Sequence, residues 1–516
     1  MKRMLAAAVI ALGVAGPNAQ QPPRTHLVIV VDGLRPDYVT PTVMPRLFRL
    51  GQRGIVFTAH HSVFPTVTRV NASSFVTGAY PETHGLMGNT IYIPKANATR
   101  GLDTGDRENL EAVERAEGTL LTAPTLGEIL RPAGKTLLAV SSGSSGSAYL
   151  LNHTVATGGI IHYQFSRPTE LAARVAAVLG AAPAHANPND PQNQYAIDAY
   201  LKLGLNEVHP DVTFMWLNDP DGTAHAKGIG DELTLKSLAL VDAGIGRIED
   251  TLQARGLLAN TNIIVTSDHG FSTHTHGLRL AEFVEPFAKP MADGSKDIVV
   301  AEGAIYLRSG RDPARVAAIV AALQKRPEVG AIFTRPSLRS DGDARASAGQ
   351  ASYQSNGGVE GSVPGTLSFD IARWNHARAG DILVSASWTH EKNSNGFAGS
   401  TTEGGVAGHG SSSPYDIHNT LIAAGPDFRE HAASAVPTAN VDLAPTLLRL
   451  LGMKPAPSMT GRIIEEGLRD GTPSSAIRVD RLQERVKTPD GTYELTAHIS
   501  IAAEHRYLDF TEVKRQ

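Results

Sequence analysis

Cysteine is absent from the 516 residues. Its absence removes disulfides, thiolate zinc centres, iron–sulfur clusters and cysteine nucleophiles together. Soft-metal chemistry therefore falls to the 19 histidines. A basic surplus is also missing: 47 Lys+Arg stand against 51 Asp+Glu, a formal charge of −4, and no Lys/Arg run occurs. A duplex nucleic-acid partner is therefore not expected. A hydrophobic content of 41% with 19% charged residues excludes wholesale disorder. The length exceeds what one hydrophobic core fills, so a large domain carrying insertions is expected.

Long apolar runs are scarce as well. Residues 4–14 form one, behind Lys2 and Arg3, but it is too short to span a bilayer and ends in Gly16-Pro17 and a Gln/Pro linker. It reads as a signal peptide over 1–20, which makes the protein exported, periplasmic or secreted, with no membrane span in the mature chain. No segment speaks to the oligomeric state.

Four short apolar runs stand out: HLVIVVDG (26–33), KTLLAVSS (135–142), VTFMWLND (212–219) and TNIIVTSDHG (261–270). Uninterrupted runs of this length suit strands buried on both faces of a parallel sheet. Amphipathic stretches lie between them, the clearest over 231–255 with Asp231 as N-cap. The fold class is therefore α/β, a mostly parallel central sheet with helices on both faces. The expected organisation is a core over 24–275, a small α+β insertion or cap subdomain over 276–405, more core over 406–475, and a β-hairpin tail over 476–516. Within the insertion, the Gly/Ser-rich stretch 340–365 reads as a surface loop.

Open parallel sheets bind ligands at the carboxyl ends of their strands. The first run ends in Asp32, the third leads into Asp219, Asp221 and His225, and the fourth ends in Asp268-His269. Three strands thus deliver carboxylates and imidazoles to one rim. Carboxylates gathered there require a cation. His409 stands in a Gly-flanked loop whose small neighbours allow close approach. Mixed imidazole and carboxylate donors favour Zn²⁺ over Mn²⁺ or iron. Thr68 precedes a helix ending near Gly78, where its hydroxyl could be a nucleophile facing phosphate or an N-cap. An alcohol needs a base or a metal to act as a nucleophile at neutral pH.

The order Asp32, PTVT with Thr68, TGAYPETHG, Gly88-Asn89, Asp221-x-x-x-His225, SDHG and GHG resembles the alkaline phosphatase superfamily. Within it, the pattern is most similar to the type I phosphodiesterase/nucleotide pyrophosphatase family. The motifs cover 26–92, 212–277 and 404–452, most of the core but neither insertion nor tail. The resemblance implies an alkaline-phosphatase-like core and two Zn²⁺ ions. Asp221, His225 and His409 would hold one, and Asp32, Asp268, His269 and Thr68 the other. It further implies Thr68 as the nucleophile of a phosphothreonine mechanism on a small-molecule phosphoester. Asn89 would donate to a phosphate oxygen, and the backbone N–H after Thr68 is a further candidate donor. Three carboxylates against two dications leave one positive charge, suited to a phosphoryl group.

The pattern departs from the family after the nucleophile, where Arg69-Val70-Asn71 replaces aromatic-Pro-Asn. Arg69 reads as a substrate contact or as a surface ion-pair partner. Related monoesterases grip the extra phosphate charge with a Lys and an Arg; the corresponding stretch 139–153 contains neither. The expectation is a phosphodiesterase acting on nucleotides or small organic diesters. A phosphomonoesterase or phosphonate hydrolase with the same metals is the alternative, and a non-catalytic binding protein on the same fold the second. His274 and His276 could line the site or cap a turn, and His60 and His61 could support it from behind. Asn71-Ala72-Ser73 fits a glycosylation sequon, but its place inside the nucleophile helix argues against modification.

Overall fold

The computed structural model describes residues 24–275, 277–336 and 358–516. The expected signal peptide, His276 and most of the Gly/Ser-rich stretch lie outside the described residues.

A nine-stranded sheet forms the centre. In chain order its strands are β1 (Thr25–Val31), β2 (Ile55–Phe57), β3 (Leu137–Ser141), β4 (Gly159–His162), β5 (Ser166–Arg167), β6 (Val212–Leu217), β7 (Thr261–Thr266), β8 (Leu421–Ala424) and β9 (Ala432–Ser434). Their order in space is β9-β2-β8-β7-β1-β6-β3-β4-β5. Five neighbours, β7-β1-β6-β3-β4, run parallel. Strand β8 is antiparallel to β7 and β2, and β5 is antiparallel to β4. All four apolar runs are central strands.

Period-two alternation explains why those strands lack polar residues. Val28 and Val30 of β1, Phe214 and Trp216 of β6 and Ile264 of β7 pack into one core. Leu27, Ile29 and Val31, Met215 and Leu217, and Ile263 and Val265 pack into another. Both faces of the sheet are covered, so both side-chain sets must be apolar. Helix α1 (Thr68–Thr77) adds Ala72, Phe75 and Val76 to the first core. Helix α2 (Asp221–Lys227) follows β6. The long helix α3 (Glu232–Ala254) covers the second core with Leu238, Val241, Ile245, Ile248 and Leu252. Asp231 caps it by accepting from the Leu233 N–H.

A five-stranded sheet lies beyond the main one, built from Ile298–Ala301, Ala304–Leu307, Val329–Thr334, Leu367–Ser368 and Ile382–Ala386. The tail differs from a lone hairpin. Val479–Lys487 joins Tyr493–Ala502 and His505–Arg515 as a three-stranded antiparallel sheet. On that first strand Leu482 and Val486 face the core, but Asp480 and Glu484 share their face and Val479 is exposed on the other, so the apolar alternation is broken by charge. Its pairing comes from the neighbouring backbone. No helix among the described residues is long and apolar enough to cross a membrane.

Candidate metal centre and nucleophile

Strand register sets the site. Val31 lies opposite Leu217, and Val30 opposite Thr266, so β1, β6 and β7 end at one level. The chain then crosses between them: the Asp32 N–H donates to the Leu217 carbonyl at 3.0 Å, and the Asp221 N–H to the Asp32 carbonyl at 3.1 Å. The Gly33 N–H reaches Asp268 Oδ1 at 3.1 Å, and Ser267 Oγ accepts the Leu34 N–H at 2.8 Å. Gly33 has φ +71°, and a Cβ there would stand 3.0 Å from the Phe271 ring. Turn and crowding both select glycine.

The geometry brings every expected ligand together. His225 Nε2 lies 3.2 Å from Asp221 Oδ1, and His409 Nε2 lies 3.4 Å from the same oxygen. His269 Nε2 lies 3.0 Å from Asp268 Oδ2 and 3.5 Å from Asp32 Oδ1. His269 stands where the two sets meet, close enough to group with Asp221 and His409 as well as with Asp32 and Asp268. Its ring stacks on that of His409 at 3.4 Å. A Cβ at Gly408 would come within 2.5 Å of His274 and 3.2 Å of His225, so only glycine admits the His409 loop.

Each imidazole is oriented by its other nitrogen. Nδ1 of His225 donates to the Ala407 carbonyl at 2.9 Å, that of His269 to Gly270 at 2.9 Å, and that of His409 to Thr66 at 2.8 Å. A neutral ring that donates through Nδ1 presents a bare lone pair at Nε2. The facing oxygens, Asp32 Oδ1, Asp221 Oδ1 and Asp268 Oδ2, are buried without a hydrogen-bond partner. Without metal, protons supply part of the compensation: against burial, Asp221 raises His225 to about 9 and Asp268 raises His269. Buried carboxylates beside imidazole nitrogens call for cations, and the donor set fits divalent metal. Burial, followed by the charges of Asp268 and Asp221, pushes the Asp32 carboxyl well above the ordinary aspartate range. Bound cations would reverse that.

Thr68 is the first residue of α1. The N-cap position belongs to Val67, which makes no side-chain cap. Capping is therefore not the role of Thr68. Its hydroxyl instead lies within hydrogen-bond distance of His269 Nε2, at 3.3 Å. Asn71 Nδ2 ties down the loop before it, donating to the Val63 and Val67 carbonyls at 3.1 Å each. Fully buried, Asn71 is no glycan acceptor.

Asn89 Oδ1 accepts the Arg69 N–H at 3.0 Å. That contact removes the backbone N–H after Thr68 from the candidate donors. The Arg69 guanidinium lies 3.7 Å from Asp103. Asp219 is a structural residue: its carboxylate accepts from the Asn189 N–H at 2.6 Å and from Thr223 Oγ at 2.8 Å. His60 reaches the site only through Asn440, which accepts from its ring at 2.9 Å and donates to the Asp268 carbonyl at 2.9 Å. His274 pairs with Glu403 at 3.3 Å and lines a cavity of about 300 Å³ beside His409. A larger groove of about 1160 Å³, beside Phe48 and Val56, is lined by none of the residues expected at the site.

Two supporting residues escaped the sequence. Trp216 Nε1–H donates to Asp32 Oδ2 at 2.8 Å from within β6, where an apolar run offers no hint of a polar role. Glu302, in the turn between two insertion strands at φ +57°, accepts the Asn89 N–H at 2.7 Å. A positive φ at a non-glycine residue is only visible in coordinates.

Fold and site together define an α/β protein with two adjoining His/Asp groups that could hold metal at the carboxyl edge of its sheet. The chain belongs to the type I phosphodiesterase/nucleotide pyrophosphatase family, which it matches over residues 26–394. It is 27% identical over 249 residues to human ectonucleotide pyrophosphatase/phosphodiesterase family member 1, covering 47% of this chain and 23% of that protein. It is 28% identical over 246 residues to venom phosphodiesterase of Naja atra, covering 47% and 26%. The matched part thus spans about a quarter of those relatives' length. Among solved structures, an inactive murine ectonucleotide pyrophosphatase/phosphodiesterase 5 in complex with AMP shares the fold. That likeness has a TM-score of 0.58 at 18% identity, covering 87% of this chain and 100% of that one.

Proposed function

We propose that this protein is an exported, zinc-dependent phosphodiesterase that hydrolyses nucleotides or small organic diesters through a phosphothreonine intermediate. One observation carries the reading: the Thr68 hydroxyl sits 3.3 Å from His269 Nε2, where two His/Asp sets with partnerless carboxylate oxygens meet. Asp221, His225 and His409 would hold one zinc, and Asp32, Asp268 and His269 the other, beside Thr68. When bound, the pair supplies Lewis-acid charge that lowers the pKa of the Thr68 hydroxyl and stabilises the departing oxygen.

Thr68 Oγ then attacks phosphorus in line. Its bond to phosphorus forms as the bond to the leaving alkoxide breaks, and the Thr68 proton passes to solvent. Asn89, its carbonyl held by the Arg69 N–H, directs its amide toward a non-bridging oxygen. The leaving alcohol takes a proton from water. A second water attacks phosphorus from the vacated side, regenerating Thr68 and releasing a phosphomonoester.

The adjoining 300 Å³ cavity, lined by Phe64, Val67, Leu278, Leu280 and Glu302, suits one nucleoside-sized or smaller group. Diesters are favoured because 139–153 offers no Lys or Arg for the extra charge of a monoester. Zinc-loaded protein assayed on bis-p-nitrophenyl phosphate and p-nitrophenyl phosphate tests this; a strong monoester preference overturns it. Thr68→Ala should retain zinc and lose turnover by several orders of magnitude. Near-normal activity in that variant would remove Thr68 as the nucleophile.

A further inference from the structure

A third His/Asp set lies apart from the two at the strand ends. His61 comes from the loop leading to Thr68, His418 from the segment before β8, and Asp509 from the last strand of the tail. One ligand atom from each falls within 4.8 Å of the others. His61 is 2% exposed and Asp509 7%.

Both Asp509 oxygens have partners here, unlike the bare carboxylate oxygens at the strand ends. His61 Nδ1 donates to the Thr438 carbonyl at 2.9 Å, and its Nε2 faces Asp509 Oδ1 at 2.8 Å. The other Asp509 oxygen accepts from Ser500 Oγ at 2.7 Å. His418 meets the His60 carbonyl. Its ring lies 4.6 Å from that of His61, and Tyr507 stacks on the far side of His61 at 5.6 Å. A lone His61–Asp509 ion pair explains the 2.8 Å contact. It does not account for a second imidazole 4.6 Å away, which would repel an imidazolium if charged.

We propose that His61, His418 and Asp509 bind a third zinc ion, one that clasps the C-terminal sheet to the loop carrying the nucleophile. Two imidazoles and one carboxylate are a zinc donor set, with water completing a tetrahedron. Zinc bonds of about 2.0–2.1 Å put tetrahedral ligands about 3.3 Å apart, so uptake requires the His61–Asp509 contact to open by about 0.5 Å. The site ties together residues 448 positions apart, His61 and Asp509. Its occupancy does not depend on the catalytic assignment.

Metal analysis of zinc-saturated, desalted full-length protein should give three equivalents, falling to two in a His418→Ala/Asp509→Asn double variant. A crystal of wild-type protein should show a zinc anomalous peak among the three side chains. If the double variant does not fold, His418→Gln, at a partly exposed position, should still lose one equivalent. Two equivalents in wild type with no such peak would overturn the proposal, as would three retained in a folded variant. Loss of zinc at the catalytic pair with the third peak present would refute the catalytic reading and leave this one standing.

Discussion

Replacing Trp216 with Phe tests the metal centre without touching a ligand. Trp216 is fully buried, and its indole N–H donates to Asp32 Oδ2 at 2.8 Å, while Asp32 is 3% exposed. Phenylalanine removes that donor and leaves a buried carboxylate oxygen bare. A hydrogen bond to a charged group is worth about 1.5–3 kcal/mol. The smaller ring leaves a void costing about 1 kcal/mol more. The zinc-loaded protein, in which Asp32 is ionised, should therefore lose about 2.5–4 kcal/mol of stability. Groups that orient a metal ligand typically contribute about 10–100-fold in affinity or activity. Losing the donor also raises the Asp32 pKa further, since the indole is what lowers it against burial and Asp268. Protons then compete better with the metal, and the deficit should grow as pH falls. Competition against a chromophoric chelator reads zinc affinity, and bis-p-nitrophenyl phosphate hydrolysis reads turnover. Phe214→Leu is the control. It lies on the same strand face, packs on Phe75 at 6.3 Å, and should lower stability while sparing zinc affinity. Zinc affinity within twofold of wild type in Trp216→Phe would refute the argument.

Asn89→Ala should lower kcat by about 10²–10³-fold, as loss of a transition-state donor does, with stoichiometric zinc retained; an unchanged kcat would exclude that role. Glu302→Ala frees the Asn89 N–H and should reduce kcat about tenfold with KM little changed. Partial recovery in Glu302→Gln is expected, and equal loss in both variants would contradict a hydrogen-bonding role. Acid should destabilise the fold. His84 is held neutral by burial, with a pKa lowered to about 3, and accepts the Leu86 N–H at Nδ1; His162, lowered to about 4, accepts the Gln164 N–H. Their stabilisation is complete above the unfolded pKa of about 6.5 and is lost as pH falls toward those values, about 2 kcal/mol each by pH 5. Chemical denaturation at pH 7.5 and 5 should show the drop, and His84→Gln should show less of it; identical pH dependence in that variant would remove His84 as a cause.

Local chemistry made much of this protein legible. Short, β-branched-rich apolar runs suit strands covered on both sides, and a parallel sheet presents the residues after them at one edge. Asp32, Asp221, Asp268 and His269 were therefore readable as neighbours from their places after β1, β6 and β7. The ordered motifs added His225, His409, Thr68 and Asn89.

Other features needed the tertiary structure. Strand β8 runs antiparallel because the chain returns from the insertion on the opposite course, and a four-residue apolar stretch says nothing of direction. On the first strand of the tail sheet, Asp480 and Glu484 share the face of the core residues Leu482 and Val486, so no continuous apolar stripe could be read. Trp216, Glu302, Asn440 and His61 hydrogen-bond to partners from 172 to 448 residues away. Periodicity encodes which face a residue occupies, and motifs encode ligands. Hydrogen bonds between distant segments are decided only when packed elements bring a donor to within about 3 Å of its acceptor.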